Sequence, residues 1–233
     1  MHFSQPLKQG TLIKRYKRFL ADIKLPDGSN ITVHCPNSGS MRSCSEPGSP
    51  VCYSRSDNPK RKYPHTLEMV HNGKTWIGVN TSRTNLIVAE AIENKQIKEL
   101  NHFESIRREV KTSAESRLDL LLEGGGKQTY IEVKSCSLAE NGQALFPDAV
   151  TARGTKHLRE LARLVNLGHR GVIFFLVQRL DCNGFSPAAA IDSVYAATLA
   201  EVQLKGVELL AYQAEVTPVS IEIVRSLPVR LEG

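Results

Sequence analysis

Three side chains in the C-terminal half carry groups that hydrolytic chemistry uses. The stretch "YIEVKS", Tyr130 to Ser135, alternates apolar and charged residues and reads as a strand. Residues two apart on a strand point the same way, so Glu132 and Lys134 share a face with Tyr130, while Ile131 and Val133 enter the opposite layer. The preceding strand, "RLDLLLE", holds one acid, Asp119, inside an apolar run. The turn "GGGKQ" makes the two strands antiparallel neighbours and brings Asp119 toward Glu132, with the register left open. Neighbouring carboxylates repel unless a cation neutralises them. Oxygen ligands with open positions suit Mg²⁺ or Mn²⁺. A lysine beside them can orient a water or balance charge on a phosphate. An acid, then acid-x-lysine on the next strand, is the set that metal-dependent phosphodiester hydrolysis needs. Glu-x-Lys alone also fits a solvated strand face with a weak ion pair. The apolar setting of Asp119 favours the metal site.

Those strands need a scaffold. From Asn80 the pattern turns helical: "TSRTNLIVAEAIENKQI" has a Ser/Thr start and apolar Leu86, Ile87, Ala91 and Ile92 at helical spacing. "RREVKT", "SRLDLLLE" and "TYIEVKS" follow as strands. "DAVTARGTKHLRELARLVNLG" is a helix with Leu158, Leu161, Ala162 and Val165 on its apolar face and Gly168 as a stop. "RGVIFFLVQR" reads as a strand buried on both faces, "SPAAAIDSVYAATLAEVQLKG" as a helix and "VELLAYQAEV" as a final buried strand. This order predicts an α/β domain with a mixed sheet. The first 80 or so residues read as short strands with hairpin signals at Asp27-Gly28 and Asn72-Gly73. They fit a five-stranded, all-β OB-fold barrel.

The 233 residues, 41% hydrophobic, suffice for one large domain or two smaller ones. A net charge of +6 attracts polyanions, nucleic acid foremost. The opening "MHFSQPLKQG" lacks the apolar segment of a secretory leader, and "GVIFFLV" is too short to span a bilayer. The expectation is a cytoplasmic protein with no membrane partner and reduced thiols at its five cysteines. His34, Cys35, Cys44 and Cys52 lack the tight C-x-x-C pairs of zinc modules.

Basic residues interleave with aromatics at two N-terminal places, "KRYKRF" and "PKRKYPH". OB-folds use such mixtures to follow a backbone and stack bases. Arg15, Lys17, Lys60, Arg61 and Lys62 are the expected contacts. Tyr16 and Phe19 cannot both point outward without a bulge. Arg153, Lys156 and Arg163 fall near one helical stripe beside the acids and are placed to hold phosphates, unless that face is simply solvated. His157, on the same helix, reads as a hydrogen-bonded surface histidine.

Longer blocks carry a resemblance. "SRLDLLLEGGGKQTYIEVKS" followed by "FPDAVTARGTKHLRELARLV" resembles the sugar fermentation stimulation protein A family. "LIKRYKRFLADI", "HCPNSGSM", "SDNPKRKYPHTLEMV" and "NTSRTN" resemble its N-terminal half, so the likeness spans essentially the whole chain. It implies an OB-fold over residues 1–80 and a restriction-endonuclease-like domain of the PD-(D/E)xK type over 81–233. It also implies a nucleic-acid partner, DNA first and RNA second. The nuclease motif maps onto Asp119 and Glu132-Val133-Lys134. Enzymes of that type often add an acid from the helix opening the core, and Glu90 is the expected third member around Mg²⁺ or Mn²⁺. Two functions follow: a metal-dependent nuclease, or a non-catalytic, sequence-nonspecific DNA-binding regulator linked to sugar (maltose) metabolism. An RNA-processing enzyme is a third. Oligomeric state stays open, a homodimer among the options.

Overall fold

The computed structural model describes residues 1–113 and 116–231. Its N-terminal sheet contains β1 (Lys8–Tyr16), β2 (Leu20–Lys24), β3 (Asn30–His34), β4 (Pro50–Arg55) and β5 (His65–His71), extended by the short β6 (Trp76–Gly78). Antiparallel pairing runs β3-β2-β1-β4-β5, and β3 meets β5 in parallel at His34 and Thr66. That contact closes a five-stranded barrel in the order 1-2-3-5-4-1, the OB topology. Leu12, Ile23, Val33, Val51 and Leu67 fill it. The stretch "TLIKRYKRFLADIKL" is two strands, because Lys17 and Arg18 take φ values of 48° and 61° and turn the chain. A register shift in β1 lies between Leu12 and Lys14, upstream of both aromatics, and it is the Lys17-Arg18 turn that separates Tyr16 from Phe19. Phe19 is exposed, and half-buried Tyr16 donates from its hydroxyl to Asp22 (3.0 Å).

Past the barrel come α1 (Thr84–Glu93), β7 (Ser105–Lys111), β8 (Arg117–Gly124), β9 (Lys127–Cys136), β10 (Leu138–Glu140) and β11 (Gln143–Phe146). Then follow α2 (Ala152–Asn166), β12 (Arg170–Val177), β13 (Gly184–Pro187), α3 (Ser193–Leu204), β14 (Glu208–Val216) and β15 (Ile221–Leu227). The main sheet has the order β15-β14-β12-β9-β8-β7. β9, β12 and β14 are parallel and the remaining pairs antiparallel, which makes the sheet mixed. α1 packs on one face against Leu120, Ile131, Val133 and Phe174. α2 and α3 cover the other, against Ile173, Phe175 and Val177. Leu86, expected inward, is exposed; Val88 and Ala89 join Ile87, Ala91 and Ile92 in the buried face. β15 and the side sheet β10-β11-β13 were not foreseen. The side-sheet strands are three or four residues long, too short to show a period. Among the described residues no helix is long and apolar enough to cross a membrane.

One buried carboxylate fixes where α1 begins. Glu68 of β5 is 1% exposed. Its Oε1 accepts from Ser54 Oγ (2.6 Å) and Arg83 Nη2 (2.7 Å), and its Oε2 accepts from Asn80 Nδ2 (2.8 Å) and Arg83 Nε (2.7 Å). A bidentate arginine pair is strong and directional. It bolts the residues entering α1 to the barrel wall. Removing the cation leaves a buried charge uncompensated, so Arg83→Ala should cost roughly 3 kcal/mol in urea unfolding. A loss below about 1 kcal/mol, the worth of a surface pair, would contradict this.

Candidate active site

β8 and β9 pair in register from Gly124 opposite Lys127 to Leu120 opposite Ile131, where their ladder ends. One residue further, Asp119 takes over. Its Oδ2 accepts the backbone N–H of Val133 (2.8 Å), and its Oδ1 accepts from Asn85 Nδ2 on the first turn of α1 (2.7 Å). The carboxylate thus sits in a fork between two strands. Glu132 lies beside it, 2% exposed, on the α2 face of the sheet. Its Oε1 accepts from Lys134 Nζ (2.5 Å) and is hydrogen-bonded to His157 Nδ1. Its Oε2 is buried and has no hydrogen-bond partner among the described residues.

The two acids are driven apart electrostatically. Burial pushes the Asp119 carboxyl up to about 6, and the neighbouring charge of Glu132 adds to this. The Val133 N–H, Lys134 and Asn85 pull it part of the way back. Burial alone would raise Glu132 too, but the hydrogen bond from His157 and the charge of Lys134 hold it below its ordinary value. The pair is therefore one readily ionised carboxylate beside one reluctant one, and one oxygen of the first is buried with no partner among the described residues.

That donor set fits a hard divalent cation. Mg²⁺ keeps several waters and takes one or two carboxylates. Among the described residues no three His, Cys, Asp or Glu side chains form a ready-made metal cluster. The carboxylates that would face such a cation are Asp119 and Glu132, and Glu132 Oε2 has no hydrogen-bond partner among the described residues.

Not every expected residue joins them. Glu90 lies 3.1 Å from the amino group of Met1, in its own ion pair. The first turn of α1 faces Asp119, so Asn85 takes the place expected for Glu90. Arg15 is committed internally. Its guanidinium donates to the carbonyls of Arg18, Asn37, Gly39 and Ser40 (2.7 to 3.2 Å) and so shapes the loop that follows β3. Arg61 donates to Thr66 Oγ1 (3.0 Å). Lys17, Lys60 and Lys62 are exposed on the β1–β2 and β4–β5 loops, Lys62 lying 5.6 Å from the Tyr63 ring centroid. On α2, Arg163 is held by Glu160 (2.8 Å), whereas exposed Arg153 and Lys156 line a cavity of about 620 Å³ with Lys111, Arg117 and His157.

His157 is the main correction. It is 6% exposed and touches Glu132, so it is no surface histidine. The signal was present: His157 stands four residues before Leu161 and seven before Leu164, on the buried stripe of α2. Asn85 had no comparable signal, since its role depends on the tertiary position of α1.

Comparisons with known proteins agree with this architecture. Residues 13–79 match the family model described as SfsA N-terminal OB domain. Residues 82–220 match the one described as Sugar fermentation stimulation protein RE domain. A sugar fermentation stimulation protein homolog of Desulfotalea psychrophila is 58% identical over 233 residues, covering 100% of this chain and 96% of the relative. One from Geobacter sulfurreducens is 54% identical over 229 residues, covering 98% of each. The solved structure of Pyrococcus furiosus SfsA in complex with Ca²⁺ superposes with a TM-score of 0.89 at 26% identity, covering 99% of this chain and 98% of that one.

The raised Asp119 carboxyl has a consequence for stability. The folded protein holds this proton more tightly than the unfolded chain, so the unfolded chain releases it first as pH rises from the ordinary value of 3.8. Asp119 therefore lowers stability progressively up to about pH 6 and by a constant amount above it. In metal-free protein, the stability of Asp119→Asn relative to wild type should climb across that window and then level off. Urea unfolding at stepped pH measures it, and a flat difference would contradict the shift.

Proposed function

We propose that this chain, which belongs to the sugar fermentation stimulation protein family, binds nucleic acid and hydrolyses its phosphodiester bonds with Mg²⁺ or Mn²⁺ held by Asp119 and Glu132. The observation that carries this reading is the buried, unpartnered Oε2 of Glu132 beside Asp119 in the strand fork. The Ca²⁺ in the Pyrococcus furiosus complex supports it, being a hard ion that takes oxygen ligands. Five free cysteines suit a cytoplasmic location.

A divalent cation bound there supplies Lewis-acid polarisation of the scissile phosphate. The protein's residues do the rest. Val133 N–H and Asn85 hold Asp119 in place before substrate arrives, so its orientation costs nothing at the moment of reaction. Lys134 shares Glu132 Oε1 with His157 and is half-buried beside that carboxylate. It orients the attacking water and offsets negative charge as the phosphorus is attacked. Arg153 and Lys156 hold phosphates of the strand beside the acids. Lys17, Lys60 and Lys62, near Phe19 and Tyr63, guide that strand along the barrel.

A second reading is a non-catalytic nucleic-acid-binding regulator. The relatives' names refer to stimulation of sugar fermentation, and the basic loops of the barrel need no metal.

The deciding assay offers single-stranded DNA, duplex DNA and RNA with Mg²⁺, Mn²⁺ or EDTA. Wild type should cleave at least one of them in a metal-dependent way. Asp119→Ala and Lys134→Ala should slow cleavage by about 100-fold or more while binding persists. Binding without cleavage under every metal would move the assignment to the regulator. Under either reading affinity should fall steeply with salt, and replacing Lys60 and Lys62 by Ala should reduce the slope of log K against log salt by about 2. An unchanged slope would remove the barrel loops from the interface.

A further inference from the structure

We infer that His157 is the positioning residue of this site: it sets the Glu132 carboxylate so that Oε2 is the open ligand atom, and it ties that carboxylate to Arg153. The inference deepens the metal-site reading above and rests on it.

The hydrogen bonds run in one direction. Arg153 Nε donates to His157 Nε2 at 3.4 Å. A guanidinium has no acceptor, so Nε2 is the accepting nitrogen and the imidazole proton belongs on Nδ1. Nδ1 then donates to Glu132 Oε1. Lys134 donates to the same oxygen. Two donors on Oε1 and, among the described residues, none on Oε2 fix which oxygen stays open.

The helix that carries His157 is itself locked. Thr151 caps α2 by accepting the Gly154 N–H (3.1 Å). Asp192 accepts the Thr151 N–H (2.8 Å) and the Tyr195 N–H (2.9 Å), so one carboxylate joins the N-termini of α2 and α3. Gly154 allows the close approach: a Cβ there would lie 3.1 Å from Tyr195 Cε2. These contacts tie the first turn of α2 to α3, one turn ahead of the His157 donor. Its other nitrogen faces Arg153, which lines the cavity with Lys111, Arg117 and Lys156. A phosphate engaged by Arg153 is thus linked to the carboxylate through one imidazole.

Hydrogen-bond partners of ligating carboxylates typically contribute 10- to 100-fold in metal affinity. The experiment titrates full-length protein with MnCl₂ alone, by calorimetry and without nucleic acid. Metal-free protein is also examined by ¹⁵N NMR for the tautomer of His157. His157→Ala, folded by circular dichroism, should bind Mn²⁺ about 10- to 100-fold more weakly than wild type. His157→Asn, which can offer an amide N–H near the Nδ1 position, should recover most of that loss. The wild-type signal should report protonated Nδ1. Equal Mn²⁺ affinity in wild type and His157→Ala would overturn this inference alone, as would a proton on Nε2. A loss in His157→Ala that His157→Asn does not repair would also overturn it, reducing the histidine to a packing role. Absence of Mn²⁺ binding by wild type would overturn the metal-site reading and this inference with it.

Discussion

The site depends on one buried charge that is only half satisfied. Ionised Glu132 is kept out of water, and desolvating a carboxylate is costly unless each oxygen finds a donor. Lys134 and His157 both serve Oε1, and among the described residues Oε2 has no partner. An unsatisfied buried group costs about 1–3 kcal/mol, and more when it is charged. Native proteins concentrate such costs where function requires them. The fork in the β8–β9 ladder has the same character: a backbone N–H that would ordinarily continue a sheet goes instead to the side chain of Asp119.

Glu68 makes the contrast plain. It is as deeply buried as Glu132, yet four donors from Ser54, Asn80 and Arg83 occupy both of its oxygens. Glu68 holds structure together; Glu132 leaves an oxygen open. The first supports the second, because the residues bound to Glu68 lead directly into α1, whose first turn delivers Asn85 to Asp119. Other contacts seat the barrel against the same end of the sheet. Arg179 bridges Ser43 of a barrel loop and the Ser137 carbonyl just after β9, and Asp148 accepts the Met41 N–H. A Cβ on Gly39 would run into that Asp148 carboxylate. The nucleic-acid-binding barrel in our proposal is therefore attached close to the strand ends that carry the acids.

What the sequence disclosed follows from the range of each interaction. The period-2 alternation of "YIEVKS" placed Glu132 and Lys134 on one face, and the tight glycine turn placed Asp119 nearby, because both relations are local in the chain. The barrel and the mixed sheet were legible from turn signals and from the change of period near Asn80. Glu90 was expected and Asn85 was not, since which turn of α1 meets the fork depends on the distant Glu68–Arg83 pair. Arg15 read as a nucleic-acid contact because composition cannot reveal four carbonyls curling around a guanidinium. His157 was legible in principle, standing on an apolar stripe, but a charged helix with neighbouring Arg153, Lys156 and Arg159 hid it.

The central claim is that Asp119 and Glu132 together hold one divalent cation. The most direct measurement is a crystal soaked in MnCl₂, with anomalous diffraction recorded at the manganese edge. The account predicts one peak within about 2.2 Å of an Asp119 oxygen and of Glu132 Oε2. A well-ordered site with no anomalous peak there, or a peak at Glu90 instead, would contradict it.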